Sequence, residues 1–239
     1  MTGSLRGSWF KYRMHVTYCG YARGLSATIL LPVDSVKSRR AEYAEQTRAA
    51  ILDAAAKAFA EEGFTSTSIT QIAAAARVTK GAVYHHFRDK QALFEAVVHR
   101  CNEAAQQQVY DAAAGYGDDP WAAALAALSA TLDVSLDRVA ARLLYIEGPV
   151  GLGWRRWRES EDHYTRRNVR LLLKGLIDAG IFPDDIPVDA MTQVVSGMIT
   201  HAGILLAEVP SRQRKAVRRD LFTAIHQIML GLRRGESAR

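Results

Sequence analysis

In this 239-residue chain the stretch that most constrains the fold is 68–87, SITQIAAAARVTKGAVYHHF, because it holds two short helical periods with a tight break between them. Ile69, Ile72, Ala73 and Ala76 recur at helical spacing, Val78 sits in the break, and Val83 and Phe87 stand four apart on the second helix. Two apolar faces therefore converge on one small core. Ser68 with Gln71 three positions on reads as a capping box that fixes where the first helix begins. Thr79 suits the N-cap of the second helix. The alanines at 73–76 let the two helices cross closely at the steep angle of a helix-turn-helix. Gly81, in the first turn of the second helix, costs about 1 kcal/mol against alanine, and close approach of backbone to a ligand accounts for such a cost.

The exposed side of this pair carries the chemistry of DNA binding. Thr67 and Ser68 offer hydroxyls and N–H groups at a helix N-terminus, which suits a phosphate. Thr79, Lys80, Gly81 and Ala82 form the first turn of the second helix, the part that meets base edges in a major groove. Tyr84 and His85 fall on the exposed side, whereas His86 and Phe87 turn towards the core. Lys90, after Asp89 at the next helix start, is placed to reach a phosphate. Lys80 is the best candidate for a guanine edge. The adjacent His85 and His86 point about 100° apart on a helix and cannot share an ion without other ligands, so neither a metal nor a cofactor is expected.

T-K-G-A-V-Y-H-H-F following I-A-A-A-A-R-V closely resembles the TetR family of bacterial transcriptional regulators. The resemblance extends upstream through Thr47–Phe64 and downstream through Arg88–Val98, about fifty consecutive residues in the family's order. It implies DNA contact for Ser68, Thr79, Lys80, Gly81, Ala82, Tyr84, His85 and Lys90. Arg77 departs from the pattern, since the family often has glycine there; the expectation is a turn that needs no positive φ and an added phosphate contact from Arg77.

The net charge of +6 is misplaced as a clue to DNA binding. Residues 1–40 carry Arg6, Lys11, Arg13, Arg23, Lys37, Arg39 and Arg40 against Asp34, and the other 199 residues are neutral in sum. Between 77 and 90, Arg77, Lys80, Arg88 and Lys90 oppose Asp89 alone. Such a focused patch suits a specific operator better than indiscriminate coating of nucleic acid. Residues 1–40 show no sustained period and are expected to be a basic, disordered extension, either touching DNA or lying upstream of the true translation start. As a signal peptide the segment fails.

Downstream the pattern is helical throughout. Helices are expected over Lys90–Ala114, Trp121–Leu132 behind an Asp119-Pro120 start, Leu136–Glu147 ending at the glycines of 148–153, Arg155–Ala179, Val188–Val209 and Ser211–Arg234. The expected fold is all-α with about nine helices: a three-helix DNA-binding domain over 45–100 and a larger helical effector-binding and dimerisation domain over 101–239. In the last two helices, Val194, Met198, Ala202, Leu205, Leu221, Ile225, Ile228 and Met229 form broad apolar faces, with Ser196, Gly197, Ala202 and Gly203 allowing close approach. The family resemblance favours homodimerisation there, and a two-fold dimer expects a palindromic operator.

A small-molecule effector is expected among the middle helices, with Tyr110, Trp121, Leu125, Tyr145, Trp154, Trp157 and Tyr164 as apolar walls and His163 and His201 as polar anchors. Leu128, Leu144, Leu172 and Ile199 belong to the same set. Two cysteines, Cys19 and Cys101, make no disulfide framework, which suits the cytoplasm, and no apolar run of membrane-spanning length is expected. The resulting function is a homodimeric repressor, released from a palindromic double-stranded DNA operator by an effector. Two alternatives stand beside it: a DNA-binding regulator without an effector, and a helical enzyme using His163 or His201 with Asp162, which lacks any nucleophile, phosphate-loop or metal motif.

Overall fold

The structure, a computed structural model, describes residues 35–233. Among these residues there are nine helices and no strand. They are α1 Ser35–Glu62, α2 Ile69–Ala75, α3 Lys80–His86, α4 Lys90–Ala114, α5 Pro120–Val134, α6 138–152, α7 154–178, α8 Val188–Glu208 and α9 Ser211–Gly231. The sequence reading of an all-α chain thus holds, with corrections at particular positions.

Residues 1–34 of the expected extension lie outside the described residues. Ser35–Arg40, placed in that extension, are helical and open α1. No glycine or proline stands between Ser35 and Gly63, and the Lys, Arg, Ala and Glu of this run are good helix formers, so nothing stops the helix earlier. The chain divides into two compact units, one up to Thr47 and one from Arg48. In the first, residues 41–46 are exposed and the Thr47 hydroxyl donates to the Tyr43 carbonyl at 2.8 Å. The second holds all the remaining helices, and the domain division expected at residue 100 falls in the middle of α4.

Two apolar cores fill that second unit. Ile51, Leu52, Ala55 and Phe59 of α1 meet Ile69, Ile72 and Ala73 of α2, Val83 and Phe87 around α3, and Leu93, Phe94 and Val97 of α4. Leu143 and Leu144 of α6 join the same cluster, so no apolar boundary separates the helix pair from the rest. Phe94 stands edge-on to Phe59 with ring centres 5.0 Å apart. It also fills the space beside Gly151, where a Cβ would lie 2.3 Å from the ring. The second core gathers Leu128, Leu132, Leu173, Leu176, Ile199, Leu206 and Ile225 from α5, α7, α8 and α9, with Phe182 from the connection between α7 and α8.

Gly148-Pro149 does not break α6, contrary to the sequence reading. Residues Arg142–Glu147 form a π turn, and the α-helical register resumes at Gly148 with the proline in its first turn. Proline lacks an N–H and crowds the carbonyl four residues back; the wider turn before it removes both demands. The break comes at Gly153, whose φ of +76° is left-handed. A second π turn, Asp162–Arg166, interrupts α7.

Helix α8 is long and apolar enough to cross a membrane, with a mean hydropathy of 1.4 over its best window, which corrects the expectation that no such run exists. Its Thr192, Ser196, Ile199, Ala202 and Leu206 are buried, and three of them, Ile199, Ala202 and Leu206, belong to the second core.

Candidate nucleic-acid interface and internal cavity

Both caps read from the sequence are formed. Ser68 Oγ accepts from the Gln71 N–H at 3.2 Å while the Ser68 N–H donates to Gln71 Oε1 at 2.7 Å. Gln71 is held in turn by a donated bond to Glu62 at 2.9 Å. Thr79 Oγ1 accepts from the Ala82 N–H at 3.1 Å and starts α3. Thr67 is not part of an anion site: it is buried, and its hydroxyl lies 2.7 Å from the Gly63 carbonyl and 3.2 Å from that of Ala58. Of the four alanines, Ala73 and Ala76 turn inward whereas Ala74 and Ala75 are exposed.

Arg77 occupies a turn that does require a positive φ, here +56°. The Val78 N–H donates to Ala73 O at 3.0 Å and the Arg77 N–H to Ala74 O at 3.1 Å. This is a Schellman closure, which puts its C′ residue in the left-handed region and usually employs glycine there. The expectation of an unconstrained turn is therefore wrong. The Arg77 side chain itself is exposed.

Helix α3 buries Val83 and leaves Lys80, Gly81, Tyr84 and His85 exposed, with Ala82 half-buried. The polar ends of Lys80, Tyr84 and His85 make no hydrogen bond or ion pair among the described residues. Lys80 Nζ lies 5.9 Å from the centre of the Tyr84 ring, and the His85 and His86 rings meet edge-on at 5.4 Å. A Cβ at Gly81 would find only Thr79 Oγ1 within reach, at 3.8 Å, so nothing among the described residues demands glycine there. No group of three or more His, Cys, Asp or Glu that could hold a metal occurs among the described residues.

Lys90 departs from its expected role. Its ammonium donates to the carbonyls of Phe64, Thr65 and Thr67 at 2.9, 3.2 and 3.0 Å, and lies 4.6 Å from the centre of the Phe64 ring. All three donors are spent on the turn between α1 and α2. The same turn is gripped from α6 by Glu147, a residue the sequence reading did not single out. This buried carboxylate accepts from the Phe64 N–H at 2.9 Å and from Arg142 at 2.9 and 3.1 Å. Gly63, with φ +86°, makes room for it, since a Cβ there would lie 3.2 Å from Glu147 Oε2.

A cavity of about 120 Å³ lies between α4, α5, α6, α7, α8 and α9. Of the expected pocket residues, Tyr145, Trp157 and Tyr164 line it, as do Leu128, Leu144, Leu172 and Ile199. Tyr110 and Trp154 do not; they are 54% and 65% exposed. His163 and His201 are exposed on different helices and do not line the cavity. Trp121 packs on Phe182 and under the Arg233 guanidinium, and Leu125 is half-buried off the wall. Aromatic content alone cannot tell which side of a helix faces inward. The register does: on α7 the wall includes Trp157, Ser160, Glu161, Tyr164, Thr165 and Asn168 and continues to Leu176, and on α4 it is Val98, Asn102, Ala105, Gln106 and Val109. Trp154, His163 and Tyr110 fall off those stripes.

The wall is apolar with a few polar groups. Burial pushes the Tyr145 phenol up to about 12 and the nearby Cys101 thiol up to about 12. Burial also raises the Glu161 carboxyl above the ordinary carboxylate range, against a hydrogen bond donated by the Thr200 hydroxyl and the more distant charges of Arg166 and Arg158. Trp157 Nε1 donates to the Leu144 carbonyl at 2.8 Å.

The expected interface residues divide by face. Val194, Leu205 and Ile228 are exposed at 58%, 37% and 53%. Ala202 and Ile225 are instead buried in the second core, and Met198, Leu221 and Met229 are half-buried against it. Ser196 is buried and Gly203 faces the Tyr145 ring, 2.3 Å from where a Cβ would lie. The outward stripe on α8 is Val194, Gly197, His201 and Leu205; on α9 it is Ala224, Ile228 and Gly231. Nothing lies within 4 Å of a Cβ built at Gly197 or Gly231.

Two capped helices with an uncommitted, cation-bearing second helix, followed by a helical body around a cavity, define the helix-turn-helix regulators. A model of the bacterial regulatory proteins of the TetR family matches residues 51–97, and one of the tetracyclin repressor-like C-terminal domain matches residues 121–232. The chain belongs to the TetR family.

Several curated relatives match over short stretches. HTH-type transcriptional regulator AcrR of Shigella flexneri is 48% identical over 56 residues, 23% of this chain and 26% of that protein. For HTH-type transcriptional repressor BepR of Brucella suis the match is 40% over 78 residues, 33% of this chain and 37% of that protein. The chain thus spans about a quarter to a third of the length of these two. HTH-type transcriptional regulator SrpR of Pseudomonas putida matches more broadly, 27% over 183 residues, covering 74% and 82% of the two chains. A crystal structure of a TetR-family transcriptional regulator from Pectobacterium atrosepticum superposes with a TM-score of 0.68 at 28% identity, over 82% of this chain and 98% of that one. The relatives are transcriptional regulators, not enzymes.

Proposed function

We propose that the protein is a homodimeric repressor that binds a palindromic operator in double-stranded DNA and leaves it when a small molecule occupies the cavity. The observation that carries this reading is α3: its caps are complete within the chain, while Lys80, Tyr84 and His85 are held ready with nothing to bond. Thr79, Gly81 and Ala82 present the first turn to base edges, and Ser68 and Arg77 approach the phosphates on either side. Lys90 is left out of this contact set because its ammonium is already spent. The protein acts where its DNA lies, in the cytoplasm.

The stripe through Val194, Gly197, Leu205, Ala224 and Ile228 supports a second copy as the partner. Its large apolar side chains are uncovered, and Gly197 and Gly231 leave room for a facing helix. A two-fold axis there gives two reading helices a fixed separation, to be matched by half-sites about one duplex turn, roughly 34–36 Å, apart.

Release follows from which elements touch both cavity and turn. Helix α4 lines the cavity with Val98, Asn102 and Val109 and holds the 64–67 turn through Lys90. Helix α6 lines it with Leu144 and Tyr145 and holds the Phe64 N–H through Glu147, two residues on. An effector that fits a shifted α4 and α6 better than the DNA-bound arrangement moves the turn, and the reading pair with it. The test is selection of duplexes from a random pool by the purified protein. An inverted repeat bound by a dimer is the expected result; a single half-site bound by a monomer overturns the proposal.

A further inference from the structure

The cavity wall has an asymmetry of charge that says what kind of molecule it suits. None of its residues is a lysine, arginine or histidine, and its one carboxyl is Glu161. That carboxyl accepts a hydrogen bond from the Thr200 hydroxyl of α8 but forms no ion pair among the described residues. The arginines nearest to it on α7 are engaged elsewhere: Arg166 pairs with Asp162, and Arg158 stacks over Trp154. From α6 the group that faces it is the Tyr145 phenol, which is neutral. The rings of Tyr145, Trp157 and Tyr164 line the same cavity, with Leu128 and Phe182.

An anionic molecule finds no counter-charge here and meets an acidic group. A neutral one gains the apolar burial and leaves the carboxyl as it is. A cation gains the same burial, supplies the missing ion-pair partner, and lies against aromatic faces whose negative quadrupole attracts positive charge. The volume, about 120 Å³, is below the roughly 150 Å³ of an apolar cavity that holds benzene, so it limits the ligand to a short branched chain or at most a single ring that the wall yields to seat. We propose that the cavity takes a small hydrophobic amine in its ammonium form, the head against Glu161 and the apolar body between the rings of Trp157 and Tyr164. This rests on the effector reading above and specifies the chemistry of its ligand.

Three one-ring probes that differ in charge test it by calorimetric titration at neutral pH: benzylamine, benzyl alcohol and benzoate. Benzylammonium is expected to bind on the order of tenfold or more tighter than benzyl alcohol, with benzoate weakest. In Glu161→Gln, which keeps an acceptor for Thr200, the preference for the ammonium is expected to vanish while benzyl alcohol binds as before. Equal binding of ammonium and alcohol, tighter binding of benzoate, a preference that survives in Glu161→Gln, or no binding by any of the three overturns the proposal. Release of a selected duplex, followed in parallel, separates this from the effector reading. Release by benzyl alcohol alone leaves an effector-responsive regulator and sinks the ammonium. Binding of benzylammonium to a protein that stays on DNA keeps the ligand class and sinks the effector.

Discussion

The helix pair of α2 and α3 and the cavity body behind it keep their polar groups in opposite ways. In the pair, Ser68, Gln71 and Thr79 spend their side chains on backbone N–H groups within three residues, so the frame is closed locally and α3 is free to meet another molecule. In the body, the polar groups that matter are joined over long sequence distances: Glu147 to Phe64, Thr200 to Glu161, Arg218 to Asp133 and Ser129. A local frame tolerates change on its outer face. A long-range frame transmits change, because each of its bonds ties a helix to a distant segment of the chain.

The largest effect expected from this contrast is on DNA. Lys80→Ala and Tyr84→Ala remove side chains with no hydrogen-bonding role in the fold, so each is expected to weaken binding to a selected duplex about 10- to 100-fold, roughly 1.4–2.7 kcal/mol. The thermal midpoint and the oligomeric state should stay as in the parent protein. Gel retardation and thermal unfolding on the same preparations make the check, and a variant that loses stability along with DNA breaks the contrast.

Glu147→Ala probes the other side. It leaves the Phe64 N–H without its acceptor and Arg142 without its partner, and about 2 kcal/mol of stability is expected to go, since hydrogen bonds to charged groups carry roughly that much. Chemical denaturation measures it. DNA binding is expected to persist at low temperature while its response to an effector weakens, because the tie between α6 and the turn is cut.

Glu161 gives the body a pH signature. Its carboxyl is raised above its ordinary value of 4.5 by burial, so the folded state binds the proton more tightly than the unfolded one. The neutral form therefore favours folding below about 4.5, and that contribution is lost as pH rises through the folded value. Glu161→Gln is expected to raise the unfolding midpoint at neutral pH, and the gain over the parent should shrink to nothing at pH below 4.5. A gain that is flat with pH contradicts a buried, unpaired carboxyl.

The same contrast explains what the sequence disclosed. The capping box, the Thr79 cap and the inward positions Ile69, Ile72, Val83 and Phe87 are legible because each is fixed by spacing within one or two turns. The boundaries of α4 and α5 follow from Asp89 and Asp119 caps for the same reason. Glu147 and Glu161 were missed because their meaning depends on partners 83 and 39 residues away. The misassigned pocket and interface residues have a related cause: Ala202 and Leu205, or Trp154 and Trp157, are alike in composition, and only packing decides which one faces outward. Lys90 read as a free cation because no sequence pattern reveals three carbonyls waiting for it.

The smallest effect concerns a closure that occurs in both regions. After α7 the Gly180 N–H donates to Ile177 O at 2.8 Å and the Ile181 N–H to Leu176 O at 2.9 Å, with φ +70° at Gly180. After α2 the same two bonds are made with Arg77 in the glycine's place, at φ +56°. A side chain in the left-handed region costs roughly 1–2 kcal/mol, and the greater freedom of unfolded glycine returns about 0.5–1 of that. Arg77→Gly is thus expected to stabilise the protein by about 0.5–1 kcal/mol, a rise in unfolding midpoint of roughly 1–4 °C for a chain of this size. On DNA the sign reverses. Loss of a phosphate-facing cation should weaken binding equally across operator sequences and lower the salt slope by about 1. Stability up and affinity down would mean that the helix pair keeps a strained residue at its closure for what its side chain does outside the fold. Stability up with an unchanged salt slope would leave Arg77 with no part in DNA binding.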